Sequence, residues 1–195
     1  MKVGIMGGTF DPIHIGHLIA AECAREGSGL DEVWFMPSHI PPHKENAPKA
    51  SPEQRLEMVR RAVAGHPYFR PTDVELAIGG VSYSVDTVTR LQELHPQHRF
   101  FYIIGADMVQ YLPKWYRIGD IVSSIGFIGL ERPGTELRLE LLPANIREAV
   151  TLVPMSVVDI SSTLIRSRKA EGRSVRYFVP DPVNDYIEEK RLYES

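Results

Sequence analysis

The chain has 195 residues, of which 43% are hydrophobic and 24% charged, so it has enough apolar material for a folded domain and lacks the composition of a disordered chain. Its formal net charge of −3 at pH 7 argues against a general nucleic-acid or anionic-membrane binder, because such proteins carry a basic excess. Cys23 is the single cysteine, which excludes an intramolecular disulfide and a cysteine-based zinc site.

Short apolar runs alternate with helical segments in the first part of the chain. Residues 3–6 predict a first strand that ends at Gly7-Gly8, and a helix is expected over about 17–26. Residues 33–36 predict a second strand. The segment 38–49 that follows is too rich in proline for regular structure and predicts a loop.

The same alternation continues through the middle of the chain. Ser51, followed by proline and then by glutamine at the third position, predicts the start of a helix. We expect a strand over 74–78 and a helix capped by Ser84 that carries apolar residues as far as Leu94. Residues 100–104 and 127–130 predict two further buried strands.

The last third of the chain is mainly helical. Residues 136–150 fit a strand or a helix equally well, Ser161 or Ser162 is expected to cap a basic helix to about Ala170, and a final helix is expected over about 181–190. Alternating strands and helices predict an α/β fold with a parallel sheet covered by helices on both faces, as in a Rossmann-like domain. Without a repeat or a linker, we expect a single domain over residues 1–195.

Nothing in the sequence predicts export or membrane insertion. Residues 1–8 lack a sustained apolar stretch and a small-residue cleavage site. The strongest apolar run, residues 100–106, is far shorter than the roughly 18 residues that a membrane span needs. We therefore expect a cytoplasmic, soluble protein that binds neither a membrane nor nucleic acid.

The first strand–helix junction carries the densest group of candidate binding residues. Residues 7–17 read Gly-Gly-Thr-Phe-Asp-Pro-Ile-His-Ile-Gly-His, so His14 and His17 flank Gly16 where the helix begins. Free N–H groups and the positive end of the helix dipole favour phosphate there, and imidazoles can donate to its oxygens in a transition state. The alternative is that both histidines only cap the helix or face solvent.

A second candidate phosphate-binding element lies near the end of the chain. Residues 159–166 read Asp-Ile-Ser-Ser-Thr-Leu-Ile-Arg, which predicts a helix start rich in hydroxyls and unpaired N–H groups. Arg166 lies one turn after Ser162, on the same helix face. The alternative is an ordinary N-cap followed by an exposed basic helix.

Together these elements resemble the H-x-G-H and I-S-S-T-x-I-R signatures of the nucleotidyltransferase superfamily. The first signature is shared with class I aminoacyl-tRNA synthetases, but the chain is too short for an anticodon domain and lacks K-M-S-K-S. Over nearly its full length the chain resembles bacterial nicotinate-nucleotide adenylyltransferases, on the two signatures and on five further segments in order: PPHK (41–44), SYSVDT (82–87), IIGADM (103–108), LPKW (112–115) and ERPG (131–134).

The resemblance implies a role for each matching residue. It implies His14, His17 and Arg166 as catalytic residues, and contacts with ATP at Gly8, Thr9, Phe10, Gly16, Gly105, Asp107, Ser161, Ser162 and Thr163. It implies contacts with the mononucleotide at Lys44, Ser84, Tyr111 and Trp115, although threonine is expected at position 84 in close relatives. Trp115 and Tyr111 could instead be packing residues, and Asp107 could cap the following helix.

The resemblance also implies the reaction. The adenylyl group of ATP passes to nicotinate mononucleotide, giving nicotinate adenine dinucleotide and pyrophosphate in NAD biosynthesis. Mg²⁺ is expected to arrive on the ATP phosphates, without a dedicated protein site. Two alternatives are another adenylyltransferase of the superfamily, such as the phosphopantetheine enzyme, and a nucleotide-sensing regulator with little turnover.

Overall fold

The computed structural model of the chain describes residues 1–39, 47–80, 83–134 and 137–194. Six parallel strands form one sheet in the order β3-β2-β1-β4-β5-β6. Their bounds are β1 Lys2–Gly8, β2 Glu32–Pro37, β3 Phe69–Pro71, β4 Arg99–Gly105, β5 Gly126–Glu131 and β6 Val150–Pro154. This is the strand order of the doubly wound nucleotide-binding fold, and the predicted fold class is confirmed.

Helices connect the strands and continue beyond β6. They are α1 Ile15–Ser28, α2 Pro52–Val63, α3 Val74–Ile78, α4 Ser84–Leu94, α5 Ala106–Val109, α6 Ile118–Ser124, α7 Ala144–Glu148, α8 Ser162–Ala170 and α9 Asp181–Glu189. Two short 3₁₀ turns lie at Leu112–Lys114 and Leu139–Leu141. None of the helices among the described residues is long and apolar enough to cross a membrane.

The sheet separates two apolar cores, as expected for strands buried on both faces. Successive side chains of a strand point to opposite faces, so Ile5 of β1 joins one core and Met6 joins the other. The core around Met6 includes residues from α1, α2, α8 and α9, whereas the core around Ile5 includes residues from α4, α6 and α7. Helices therefore cover both faces.

The segment 74–78 is a helix, so its prediction as a strand was wrong. A run of five residues with apolar ends is too short for periodicity to separate the two structures, and Asp73 precedes it as N-cap. The third strand is instead Phe69–Pro71, which pairs only with β2. Proline is tolerated at this edge because an edge strand does not need every N–H for pairing.

Two other boundaries differ from expectation. The residue at the N-cap of α4 is Tyr83, and Ser84 is the first helical residue rather than the cap. The segment 136–150, which fitted either structure, contains a 3₁₀ turn and α7 before β6 begins at Val150. The capping of α8 by Ser161 is confirmed, because its side chain accepts the N–H of Leu164 at 3.1 Å.

Candidate functional site

A cavity of about 530 Å³ lies at the carboxyl ends of β1 and β4. The order of strands reverses between these two, and open α/β sheets bind their ligands at that point. Residues 6–9 from the end of β1 and 102–105 from the end of β4 line the cavity. The candidate site is therefore where the strand order predicts it.

The segment after β1 brings three of the predicted ATP-contact residues to this edge of the sheet. Gly8 and Thr9 line the cavity. Phe10 does not, since its ring is buried and meets the ring of His17 edge-on at 5.0 Å between centroids. Its backbone has a positive φ of 50°, which turns the chain sharply towards the start of α1. Phe10 can thus contact a ligand only through its backbone.

The two histidines lie together at the start of α1. His14 is the N-cap residue and its backbone N–H donates to Nδ1 of His17 at 3.2 Å. Because that nitrogen accepts, the neutral ring of His17 carries its proton on Nε2, as an N–H donor. The two rings are stacked at 3.7 Å between centroids, and His17 lines the cavity whereas His14 is buried beside it.

Burial lowers the pKa of His14 from its ordinary value of 6.5 to about 4, because desolvation disfavours the imidazolium. His14 is therefore neutral at pH 7 and can act there as a hydrogen-bond donor through one nitrogen. A small residue at position 16 gives the ring of His14 room, because a Cβ at Gly16 would lie 3.0 Å from Nδ1 of His14. Gly16 is thus explained by the packing of His14, and it does not line the cavity.

The second signature docks on the first although some 150 residues separate them in sequence. The hydroxyl of Ser162 donates to the carbonyl oxygen of Pro12 at 2.8 Å. Nη1 of Arg166 donates to the carbonyl oxygen of Asp11 at 2.8 Å, and Nη2 donates to Oγ1 of Thr163 at 3.3 Å. Ser162, Thr163 and Arg166 therefore adjoin the segment after β1, with Ser161 as the cap of their helix.

Gly105 and Asp107 lie at the end of β4. Gly105 lines the cavity and is the N-cap of α5, whereas Asp107 is exposed in the first turn. A Cβ at Gly105 would lie 2.5 Å from Oδ1 of Asp107, so the carboxylate folds back over the glycine. The interpretation of Asp107 as a helix cap was therefore wrong, because Gly105 is the N-cap of α5 and no side chain among the described residues accepts a capping hydrogen bond there, whereas the position is compatible with a binding role.

The predicted mononucleotide residues fall into three groups. Ser84 and Trp115 line the cavity. Trp115 also packs edge-on against Phe127 at 5.8 Å between centroids, so it serves the core and the cavity together. Tyr111 is exposed, does not line the cavity, and lies beside the ammonium of Lys114 at 5.3 Å. Lys44 lies outside the described residues.

Glu75, a buried carboxylate that sequence reasoning missed, lines the same cavity as Ser84. Glu75 of α3 lines the cavity, and Oγ1 of Thr87 donates to its Oε1 at 2.9 Å. Burial raises the pKa of the neighbouring Tyr102, and the charge of Glu75 raises it further. A carboxylate within an apolar segment was the available signal, but the assignment of 74–78 to a strand concealed it.

A second missed residue supports the cavity from behind. Arg55 of α2 is 1% exposed, and its Nη1 donates to the carbonyl oxygens of Thr9 at 2.8 Å and Ser38 at 2.7 Å. Its Nη2 donates to that of His39 at 3.4 Å. Arg55 thus ties the segment after β1 to the segment after β2. Arg132, after β5, also lines the cavity and was not predicted.

No group of three or more His, Cys, Asp or Glu that could hold a metal ion occurs among residues 1–39, 47–80, 83–134 and 137–194. Apart from the carboxylate of Glu75, the described site offers imidazole, guanidinium, hydroxyl and backbone N–H groups. These are donors suited to the oxygens of phosphate.

The sheet order and the histidine-bearing helix start at its switch point define a nucleotidyltransferase of the Rossmann-like type. Residues 5–168 match the family model described as cytidylyltransferase-like. The chain belongs, within this class, to the nicotinate-nucleotide adenylyltransferase family. It is 45% identical to the probable nicotinate-nucleotide adenylyltransferase of Bacillus pumilus, over 100% of this chain and 99% of the relative.

Other relatives agree with this family. The nicotinate-nucleotide adenylyltransferase of Bacillus subtilis is 44% identical over 100% of this chain and 99% of its own. Among solved structures, the nicotinic acid mononucleotide adenylyltransferase of Plasmodium falciparum complexed with NaAD has a TM-score of 0.77 at 19% identity, covering 98% of this chain and 97% of that one. At that identity the likeness supports the fold.

Proposed function

We propose that this protein transfers the adenylyl group of ATP to nicotinate mononucleotide, giving nicotinate adenine dinucleotide and pyrophosphate. The observation that carries the proposal is the meeting of the two signatures: Ser162 and Arg166 bond to the carbonyls of Pro12 and Asp11, in the segment that leads from Thr9 at the cavity to the start of α1. Full-length similarity to a family of this name supports the choice of substrates.

The residues around the cavity suit this reaction because it needs alignment and charge neutralisation rather than a protein nucleophile. The phosphate of nicotinate mononucleotide is already ionised at neutral pH, so its oxygen can attack the α-phosphorus of ATP without a general base. The bond from the α-phosphorus to the bridging oxygen then breaks and pyrophosphate leaves. His17 and Arg166 stabilise the charge that grows on this leaving group.

We assign the remaining predicted residues around these two. Gly8, Thr9 and the backbone of Phe10 line the path of the phosphates, with Ser162 and Thr163 beside Arg166. Gly105 and Asp107 hold the adenosine side. Trp115 stacks on the pyridine ring, and the backbone N–H groups of α4's first turn, at Ser84 and Val85, face the acceptor's carboxylate.

In this proposal Mg²⁺ is bound by the phosphates of ATP and arrives with them. The groups that we assign to the phosphates are cationic or N–H in character, which fits phosphate oxygens and leaves the metal to the phosphates and water. When bound, the ion neutralises charge on the triphosphate. Since ATP is an intracellular metabolite, we place the reaction in the cytoplasm, and we treat residues 1–195 as one domain because all six strands belong to one sheet.

Pyrophosphate release from ATP with three acceptors tests the proposal. Nicotinate mononucleotide should be the best substrate, and nicotinamide mononucleotide a poorer one. Its amide presents NH₂ to donors that a carboxylate would satisfy, at a cost of about 1–3 kcal/mol, or roughly tenfold or more in kcat/KM. Phosphopantetheine should not react. Release with phosphopantetheine alone would indicate the other adenylyltransferase, and the absence of release with all three acceptors would indicate a nucleotide sensor with little turnover.

A further inference from the structure

The side chain of Asp11 is a buried carboxylate that accepts hydrogen bonds from distant parts of the chain and has no role in the reaction scheme above. It is 4% exposed, yet its carboxylate accepts three hydrogen bonds. Oδ2 accepts the N–H of Lys49 at 2.8 Å, and Oδ1 accepts the N–H of Ala50 at 3.0 Å and the hydroxyl of Tyr193 at 2.8 Å. A buried carboxylate needs such donors to retain its charge.

The third donor comes from the far end of the chain. Tyr193 lies 182 positions from Asp11, after α9, and reaches it through two residues with positive φ, Arg191 at 50° and Tyr193 itself at 66°. Residues other than glycine rarely adopt this conformation, and it persists where surrounding contacts enforce it. Phe10, next to Asp11, has the same feature. Residues with a left-handed backbone thus lie next to the acceptor, at Phe10, and at the donor, at Arg191 and Tyr193.

The hydroxyl of Tyr193 is a permanent donor. Burial raises the pKa of Tyr193 far above its ordinary value, and the negative charge of Asp11 raises it further. It therefore stays protonated across the working range of pH. The hydrogen bond from Tyr193 to Asp11 therefore does not depend on deprotonation of the hydroxyl over that range.

Asp11 is also the residue that holds Arg166. Nη1 of Arg166 donates to the carbonyl oxygen of Asp11 at 2.8 Å and lies 4.0 Å from Oδ2 of the same residue. The guanidinium is thus hydrogen-bonded to the backbone carbonyl of Asp11, and it lies too far from the carboxylate of the same residue for a hydrogen bond. The three donors on the carboxylate compete with a direct ion pair between the two side chains.

We propose that Tyr193 is a positioning residue: through the carboxylate of Asp11, it keeps Arg166 oriented towards the phosphates of ATP. This inference rests on the proposed adenylyl transfer. Without the hydroxyl, the buried carboxylate loses one of its donors and regains it by closing the 4.0 Å gap to Arg166. That movement draws the guanidinium away from the triphosphate and leaves the pyridine end of the cavity unchanged.

Tyr193→Phe in the full-length protein tests this directly. We expect kcat to fall about tenfold, the effect of losing one hydrogen bond to a charged group, while the KM for nicotinate mononucleotide at saturating ATP changes less than about twofold. The matched control is Tyr186→Phe on α9, whose ring lies under the guanidinium of Arg61 at 4.5 Å. It should leave both values within about twofold of the wild type.

A double-variant cycle separates positioning from general destabilisation. If Tyr193 acts through Arg166, adding Tyr193→Phe to Arg166→Lys should cost less than about twofold beyond Arg166→Lys alone. Losses of kcat that multiply in the double variant, an unchanged kcat with a raised KM for nicotinate mononucleotide, or a Tyr193→Phe variant that matches Tyr186→Phe would each overturn the inference.

Two further measurements keep the test decisive. Should Tyr193→Phe fail to fold, the cycle is repeated with Asp11→Asn, for which the same non-additivity with Arg166→Lys is required. Should the wild type release no pyrophosphate, the proposed function fails, and direct titration with ATP then compares wild type and Tyr193→Phe. Equal affinities would overturn the positioning role independently.

Discussion

The imidazole of His17 lies at the wall of the cavity. Its Nδ1 accepts the N–H of His14, which leaves the ring's proton on Nε2, and the side chain lines the cavity. A donor held in this way costs no reorganisation when charge develops on a leaving pyrophosphate.

We expect His17→Ala to lower kcat by roughly 10²-fold or more, the usual effect of losing one such donor, while the protein still folds. His17→Gln should lose less than His17→Asn, because only the longer amide can place its nitrogen near the position of Nε2. Steady-state pyrophosphate release and thermal melting measure the two effects. A folded His17→Ala protein with normal turnover would remove His17 from the mechanism.

Arg166 differs from the other basic residues of α8 in its contacts. Its guanidinium is held by Asp11 and Thr163, whereas that of Arg168 lies over the ring of Phe178 at 4.8 Å. Arg166→Lys keeps the charge but loses the planar fork that grips phosphate oxygens at two points. We expect kcat to fall about tenfold or more with little change in the KM for the mononucleotide, and Arg168→Lys to leave both values unchanged. An unchanged kcat with a raised KM for the mononucleotide in Arg166→Lys would place this residue elsewhere.

At the scale of the elements, Arg55 connects the segment that follows β1 to the segment that follows β2 through hydrogen bonds. Its Nη1 donates to two carbonyl oxygens, those of Thr9 and Ser38, and both residues line the cavity. The guanidinium is buried with backbone acceptors, so nothing in solvent can replace it when it is removed.

Arg55→Met should therefore lower the free energy of unfolding by about 3 kcal/mol, since it leaves buried carbonyls unpaired. It should also lower kcat/KM for both substrates, because both segments border the cavity. Arg60→Met on the same helix removes an exposed guanidinium and should stay within about 0.5 kcal/mol of the wild type. Denaturant unfolding of the three proteins gives the comparison, and similar values for the two variants would contradict the role of Arg55.

Local signals explain which elements were predictable. The end of β1, the helix start at Ser51 and the cap at Ser161 depend on neighbouring residues, so the sequence pattern was sufficient for them. In contrast, β3 has three residues including a proline and exists only through its pairing with β2. Its sequence carries no strand signal of its own, and the apolar segment 74–78 took its place in the prediction.

The supports of the site were less predictable than its ligand-facing residues. The histidine and serine–arginine signatures are recognisable as patterns. Arg55 and Tyr193 act through contacts with residues 46 and 182 positions away, and no spacing rule connects them. Their roles follow from the packing of α2 and of the last turn against the segment after β1.

At the scale of the whole molecule, the start of α1 couples the site to global stability. His14 is 6% exposed at the N-cap of the helix that carries Ala21 and Ala24 into one of the two cores. Its imidazole is held neutral by burial, with a pKa of about 4 in the folded protein against an ordinary value of 6.5. The unfolded chain exposes the ring and restores the ordinary value.

This difference predicts how stability depends on pH. Below about pH 6.5 the unfolded chain binds a proton at His14 that the folded protein does not bind until about pH 4, so the free energy of unfolding falls as the pH drops between these values. The full contribution of this group to the free energy of unfolding is about 3 kcal/mol, present above about pH 6.5 and lost at about pH 4.

Urea unfolding of the wild type and of His14→Gln, measured at about pH 7 and about pH 5, isolates this contribution, because the carboxylates that also titrate are common to both proteins. The wild type should lose about 2 kcal/mol more than His14→Gln over this interval. Parallel losses in the two proteins would mean that His14 titrates in the folded state as it does in the unfolded chain, and that the start of α1 is open to water.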